Sequence, residues 1–286
     1  MKVAYFPGCS LEATAKEYDD SFRAVCQILG VELEEVPDWS CCGASSAHTT
    51  NHLLSLALPA RNLALVQEKG LNLVAPCPGC FINFQHAYFE LGEDGDLRKK
   101  LEAIIGMSYT GSVKLLTVLD VCREVGLENI RAKVQRSLNG LKLANYHGCF
   151  ARFPGVADVD DPENPRHLDE LMNALGAESV DWSHKTECCG GNMVLARTDI
   201  VIKLVDDICQ SARRSGAEAI VSMCPLCQAN LDTRQAGKDK LPIFYFSELM
   251  GLALGVEDKK VKSWWKRHIV SPVNALDSHN LIKVAA

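Results

Sequence analysis

No stretch of this 286-residue chain reaches the ~18 consecutive apolar residues that a membrane-spanning helix needs. Basic residues are not in excess. Thirty Lys and Arg stand against 36 Asp and Glu, a net charge of −6, and leave no nucleic-acid footprint. The one basic cluster, Lys259-Lys260, Lys262 and Lys266-Arg267, reads as a solvated face, with docking to an acidic partner the weaker alternative. No G-x-G-x-x-G follows a strand pattern, so no nicotinamide or flavin site is expected. There is no low-complexity segment. No leader pattern precedes the strand-like run Val3-Ala4-Tyr5-Phe6, which together with the absent span predicts a cytoplasmic protein.

Cysteine, by contrast, is abundant: there are 13. A reducing compartment makes disulfides a poor explanation. Ten of them form two copies of one pattern. The first is Cys9, Cys41-Cys42-Gly43 and Cys77-Pro78-Gly79-Cys80. The second is Cys149, Cys188-Cys189-Gly190 and Cys224-Pro225-Leu226-Cys227. In both copies 34 residues separate the Cys-Cys pair from C-P-x-C. Cys9 maps to Cys149 with an offset of 140, and the other ligand pairs with an offset of 147. The seven extra residues of the second copy fall in a segment containing Asp158–Pro165, whose Asp and Pro content predicts a loop.

Secondary-structure patterns repeat with the cysteines. Strands are expected over 2–6, 32–36 and 71–75, and again over 141–146, 178–181 and 219–222. Helices are expected over 16–29, stopped by Gly30, and 53–69, then over 166–175, stopped by Gly176, and 195–215. The linker from Gly92 to Gly140 shows helical patterns over 115–124 and 130–138. After the second C-P-x-C come the apolar run Ile243-Phe244-Tyr245-Phe246 and a helix candidate over 247–254. Alternating strand and helix predicts an α/β protein with two Rossmann-like domains, each a small parallel sheet flanked by helices. The domains are expected at 1–140, with the helical linker, and 141–286, with a C-terminal helical tail. Each cysteine follows a strand, which places one copy's ligands at one sheet edge.

Thiolate selects zinc or iron–sulfur clusters. A zinc site usually takes four ligands. Five cysteines per copy, two of them adjacent, suit a multi-iron object better. Zinc remains the rival. Gly8, Gly148, Gly43 and Gly190-Gly191 allow close backbone approach to a bulky group, while Pro78 and Pro225 fix the C-P-x-C turn.

The doubled pattern resembles the CCG-domain family, and within it the B subunits of heterodisulfide reductases. The resemblance covers essentially the whole chain, including Asp160–Pro165 and Tyr245-Phe246-Ser247-Glu248-Leu249. It implies two non-cubane [4Fe-4S] clusters. One would be held by Cys9, Cys41, Cys42, Cys77 and Cys80, the other by Cys149, Cys188, Cys189, Cys224 and Cys227. It further implies two facing clusters that reductively split a disulfide such as CoM-S-S-CoB, or a related one, into thiols. Electrons would come from a flavin-containing A subunit, passing through a small iron–sulfur C subunit. A relay protein without its own disulfide is the alternative that the family offers. No C-x2-C-x2-C-x3-C-P motif is present to mark a fused ferredoxin-like relay.

Other residues invite a role beside a plainer reading. His147 is the candidate proton or hydrogen-bond donor, against packing at a strand end. His48 is a weaker candidate for the same cleft, and His86 and His184 have no motif around them. Arg152 and Arg197 are candidates for binding an anionic substrate group, against ordinary surface positions. Trp39 and Trp182 precede the CCG triplets by two and six residues and read as packing or as water shields. Cys26, Cys122 and Cys209 lie outside the repeats and read as buried hydrophobes.

Overall fold

Short buried apolar runs form the strands. The computed structural model describes residues 1–44, 46–153, 155–156 and 160–282. Val3, Ala4, Tyr5 and Phe6 are fully buried and most of them make β1 (Lys2–Tyr5). Helix α1 (Lys16–Leu29) ends where Gly30 turns at φ +75, as expected of a helix-stopping glycine. Strand β2 (Glu32–Glu35) is polar and pairs with β1 alone. Its carboxylates meet Lys2, whose Nζ lies 2.9 Å from both Glu32 and Glu34, and Glu34 also meets Lys69. Charged side chains of this kind keep a sheet edge from pairing further.

Helices α2 (Ala47–Thr50) and α3 (His52–Glu68) follow. The Asn51 side chain caps α3 by accepting the Leu54 N–H. Then come β3 (Leu73–Val74), α4 (Pro78–Glu93) and α5 (Gly95–Ile105). The helical pattern over 115–124 resolves differently from expectation. Leu115–Leu116 is a strand, β4, pairing in parallel with Leu73–Val74. Helix α6 (Val118–Val125) starts only after Thr117. There the Thr117 N–H donates to Asp120 Oδ2 at 2.8 Å and the Asp120 N–H to Thr117 Oγ1 at 3.1 Å, a reciprocal cap that defines a helix start. Helix α7 (Leu127–Ala132) is shorter than the pattern over 130–138. The Gln135 and Arg136 N–H groups donate instead to the Ala253 carbonyl at 2.9 and 3.0 Å.

The second half repeats the plan with β5 (Lys142–Tyr146), α8 (His167–Ala174), β6 (Glu178–Ser179) and α9 (Thr198–Arg214). It continues with β7 (Ala219–Ser222), α10 (Pro225–Arg234) and β8 (Ile243–Tyr245). Helices α11 (Phe246–Ala253), α12 (Asp258–Trp265) and α13 (Val273–Asp277) close the chain. Of the segment Asp158–Pro165, Asp158 and Val159 lie outside the described residues. From Asp160 to Pro165 there is neither helix nor strand, and Asp160 Oδ2 accepts the His167 N–H at 2.9 Å, at the start of α8.

The fold is α/β, with two four-stranded sheets of all-parallel pairing. Their orders are β2-β1-β3-β4 and β6-β5-β7-β8, one order used twice. The chain divides into two compact units. One comprises Met1–Thr14 and Gly30–Val121; the other comprises Ala15–Leu29 and the chain from Cys122 onward. Helix α1 thus belongs to the second unit. Tyr18 stacks on Tyr245 at 4.3 Å, Phe22 meets Phe246 edge-on, and the Ser21 and Ser247 hydroxyls share a 2.6 Å hydrogen bond. No helix among the described residues is long and apolar enough to cross a membrane.

A buried ion pair anchors the second unit. Lys185 Nζ lies 2.6 Å from Asp169 Oδ2 with both side chains under 10% exposed (2% and 8%), and Asn145 donates to Asp169 Oδ1 at 2.8 Å. Removing one partner of such a pair strands a buried charge. Asp169→Ala is expected to destabilise the protein by about 3–5 kcal/mol in chemical denaturation; a loss within error of zero would contradict this.

Candidate functional site

Each cysteine-bearing segment leaves the carboxyl end of a strand. Cys9 follows β1, Cys41-Cys42 follow β2, and Cys77 follows β3. Cys149, Cys188-Cys189 and Cys224 follow β5, β6 and β7 in the same way. Because each sheet is parallel, these ends share one edge, where α/β proteins place their sites. The backbone reaches that edge through glycines in the left-handed region, at φ +65 for Gly8 and +62 for Gly148, and at +81 for Gly43 and +74 for Gly190. A Cβ on Gly8 would lie 3.2 Å from Cys80 Sγ, and one on Gly43 2.8 Å from Ala47 Cβ. Neither position accepts a side chain without displacing the site.

The ten sulfurs gather as two groups of five. In the first, Cys42 Sγ lies 3.1 Å from Cys80 Sγ, Cys80 is hydrogen-bonded to Cys77, and Cys9 to Cys41. The second repeats this arrangement. Cys189 Sγ lies 3.3 Å from Cys227 Sγ, Cys227 is hydrogen-bonded to Cys224, and Cys149 to Cys188. Exposure repeats too: Cys9, Cys41, Cys149 and Cys188 are exposed and the other six are buried. Each group therefore has a buried floor and an open rim. The second floor is continuous with the core around Ala144, Trp182, Val205 and Ile220.

Crowded thiols cannot all ionise, because each thiolate repels the next. Hydrogen bonds from neighbouring thiols, with backbone N–H groups beside them, decide which do. Cys77 caps α4 and Cys224 caps α10, with Pro78 and Pro225 in the first turn, where a missing N–H costs nothing. A hydrogen bond from Cys80 and the N–H groups of Cys80 and Gly79 bring the Cys77 thiol to about 7 against burial. A hydrogen bond from Cys149 and the Gly190 N–H bring Cys188 to about 6. Cys9 moves the other way, raised by burial and by Cys41, Cys42 and Cys77. Among the described residues, no three His, Cys, Asp or Glu side chains form a single-ion site. Five soft donors per group, joined as the pair Cys9–Cys41 and the run Cys42–Cys80–Cys77 in the first and as their equivalents in the second, fit a thiolate-ligated cluster, whose cations would relieve the mutual repulsion.

Two supporting contacts do not follow from the cysteine spacing. Asn83 Nδ2 donates to the Cys42 carbonyl at 2.9 Å, and Asn230 Nδ2 to the Cys189 carbonyl at 2.6 Å. Their signal in the sequence is C-P-x-C-x-x-N, present in both copies. The residue before each Cys-Cys pair is also held, by different means. Asn62 binds both the N–H and the carbonyl of Ser40 at 2.9 Å. The Tyr146 hydroxyl donates to the Glu187 carbonyl at 2.5 Å. Phe6 occupies the position equivalent to Tyr146 and packs edge-on against Trp39 at 5.3 Å and Phe84 at 4.8 Å.

The remaining candidates are placed as follows. His147 is buried, its Nε2 without a hydrogen-bond partner, and burial pulls its pKa down to about 3. The imidazole is therefore neutral at pH 7. Its N–H and that of Gly148 both donate to the Lys185 carbonyl at 2.9 Å, tying the Cys149 turn to the segment before Cys188. Arg197 is spent on Asp199 at 3.1 and 2.9 Å. Arg152 donates to Thr186 at 3.0 Å and lies 3.6 Å from Glu187. His48 and His86 are exposed, and His184 pairs with the Ser183 hydroxyl. Trp182 is buried and donates to the Asn145 carbonyl at 3.2 Å, which is packing. Cys26, Cys122 and Cys209 are buried, and burial pushes Cys209 up to about 12 and Cys26 higher still.

Comparison with known proteins finds relatives over most of the chain. The model of the cysteine-rich CCG domain matches residues 3–85 and 143–232. The 8-methylmenaquinol:fumarate reductase membrane anchor subunit of Wolinella succinogenes is 33% identical over 91% of this chain and 94% of its own length. A protein of Archaeoglobus profundus, described as like the B subunit of heterodisulfide reductase, is 30% identical over 91% of this chain and 93% of its own. The B subunit of the ferredoxin/F420H2-dependent CoB-CoM heterodisulfide reductase of Methanosarcina acetivorans is 28% identical over 89% of both. A crystal structure of a hypothetical protein from Helicobacter pylori has the same fold, with a TM-score of 0.71 at 11% identity. It covers 94% of this chain, which spans about half (51%) of that one.

The thiol environments predict selective labelling of the metal-free protein. Cys188 is exposed and ionises near 6, so its alkylation by iodoacetamide is expected to rise through pH 6 and flatten above pH 7. Cys26 and Cys209 should stay unlabelled while the protein is folded. Peptide mass spectrometry showing Cys188 and Cys209 labelled alike at pH 7 would contradict the assignment.

Proposed function

This chain belongs to the cysteine-rich CCG-domain family, and we propose that it is the disulfide-reducing component of a multi-subunit complex of the heterodisulfide reductase type. The observation that carries this reading is the pair of matched five-thiol groups, each with a buried floor and an open rim. In this reading, Cys9, Cys41, Cys42, Cys77 and Cys80 hold one non-cubane [4Fe-4S] cluster. Cys149, Cys188, Cys189, Cys224 and Cys227 hold another. The repeat units 1–140 and 141–286 then carry one cluster each. Bound clusters would supply the one-electron steps by which a disulfide takes up two electrons and two protons and leaves as two thiols.

The chain's own residues define the conditions for that chemistry. Helix N-termini and loop N–H groups stabilise thiolate. Exposed Cys9 and Cys41, and exposed Cys149 and Cys188, leave each group open to a substrate and to water as the proton source. The neutral, buried His147 is not assigned a proton-transfer step. Lacking a dinucleotide fingerprint, the chain takes its electrons from partners, in this reading an iron–sulfur C subunit fed by a flavin-containing A subunit. The substrate is CoM-S-S-CoB or a related disulfide.

A second reading rests on the similarity to the fumarate reductase subunit of W. succinogenes. Here the chain passes electrons within a redox complex and has no disulfide of its own.

Reconstituted protein is expected to carry about eight iron and eight acid-labile sulfide per chain, and Cys42→Ser or Cys189→Ser about half of that. Zinc in place of iron, or an unchanged iron count in both variants, would sink the ligand assignment. NADH alone is expected to drive no disulfide reduction by the isolated chain. A paramagnetic signal appearing only with the cognate thiol separates substrate binding from pure electron transfer; no response to any thiol favours the second reading.

A further inference from the structure

The two cysteine groups share one supporting side chain. Asn83 and Asn230 each stand three residues after the last cysteine of C-P-x-C and are related by the offset of 147 that relates the cysteines. Both lie within the first two turns of a helix, α4 or α10. Helical side chains lean back toward the N-terminus, so each amide is carried over the end where the cysteines sit. There each Nδ2 donates to the carbonyl of the second residue of the Cys-Cys pair, at 2.9 Å from Asn83 and 2.6 Å from Asn230. The sequences around the two asparagines differ, Phe81-Ile82 in one and Gln228-Ala229 in the other. The shared bond is therefore a feature of the site rather than of the local packing.

The surroundings of the two amides differ. Asn83 is half-buried, and the Cys42 carbonyl is the acceptor described for it. Asn230 is 2% exposed, and its Oδ1 is buried without a partner. An N–H held against a ligand cysteine, here at its carbonyl, stabilises added negative charge and raises the potential of the group that the cysteine binds. A dry setting strengthens the effect.

The geometry points to Asn83 and Asn230 as the positioning residues of the two cysteine groups, and to the second group as the one that accepts an electron more readily because Asn230 is buried against it. This inference rests on the proposal that both groups hold iron–sulfur clusters. Asn230 acts through Cys189 and needs no contact with substrate.

The test is a redox titration of the reconstituted full-length chain, followed by electron paramagnetic resonance. Cys42→Ser and Cys189→Ser first assign each signal to its group. The second group is expected to be reduced at the higher potential. Asn230→Leu, which keeps the shape and removes the N–H, should move its signal down toward that of the first group, with iron and sulfide retained. Asn83→Leu should leave the order unchanged. Should Asn230→Leu shed metal from the second group alone, the positioning role stands and Asn230→Ser carries the potential measurement. A second group reduced at the lower potential would overturn the inference, as would an unchanged potential in every metal-loaded Asn230 variant. A wild-type chain that binds no iron or sulfide defeats the underlying proposal instead, and does so before any variant is made.

Discussion

Five thiols brought to one sheet edge repel one another as soon as they ionise, and the rest of each site answers that repulsion. Cys77 and Cys188 each accept a hydrogen bond from a neighbouring thiol, and the α4 N-terminus with its Gly79 N–H and the loop N–H of Gly190 add partial positive charge where thiolate forms. Left-handed glycines let the backbone come close enough to donate. The result is an uneven set of thiols: Cys188 ionises near 6 and Cys77 near 7, while Cys9 is pushed up. A ligand set in this state favours a cationic partner.

The scaffold serves that edge. Short parallel strands end at the cysteines, and helices of ordinary length begin there. In the second unit the support reaches deeper. The Lys185 carbonyl holds the His147-Gly148 turn while its ammonium group is locked to Asp169. The Tyr146 hydroxyl holds Glu187, one residue before Cys188. The first unit does the equivalent work with Asn62 on Ser40 and apolar packing of Phe6. Two copies of one design have thus acquired different supports, which is the physical basis for treating their sites as unequal.

Much of the fold was legible in the pattern of residues. Helix α1 runs over 16–29 as the periodicity and Gly30 required, and β7 over 219–222. The departures fall in segments whose partners are distant in the chain. Leu115–Leu116 looks helical in its local context, yet Leu73–Val74 offers it a parallel ladder, and the Thr117–Asp120 cap moves the helix start past it. The pattern over 130–138 breaks because the Ala253 carbonyl captures two N–H groups. Arg197 was a candidate anion binder until Asp199 took its guanidinium. Asn83 and Asn230 carried a signal, but an asparagine has no meaning until the carbonyl it binds is known.

By itself the sequence determined the two five-cysteine sets, their order along the chain and the strand-then-cysteine rhythm that puts each set at one sheet edge. Those are properties of spacing and period, and spacing survives without coordinates. Only the tertiary structure decided which four cysteines open to solvent, which thiols ionise, that His147 is neutral and that α1 joins the second unit. Each of these depends on what lies against a residue from elsewhere in the chain, because burial and hydrogen bonding are set by neighbours that sequence order does not name.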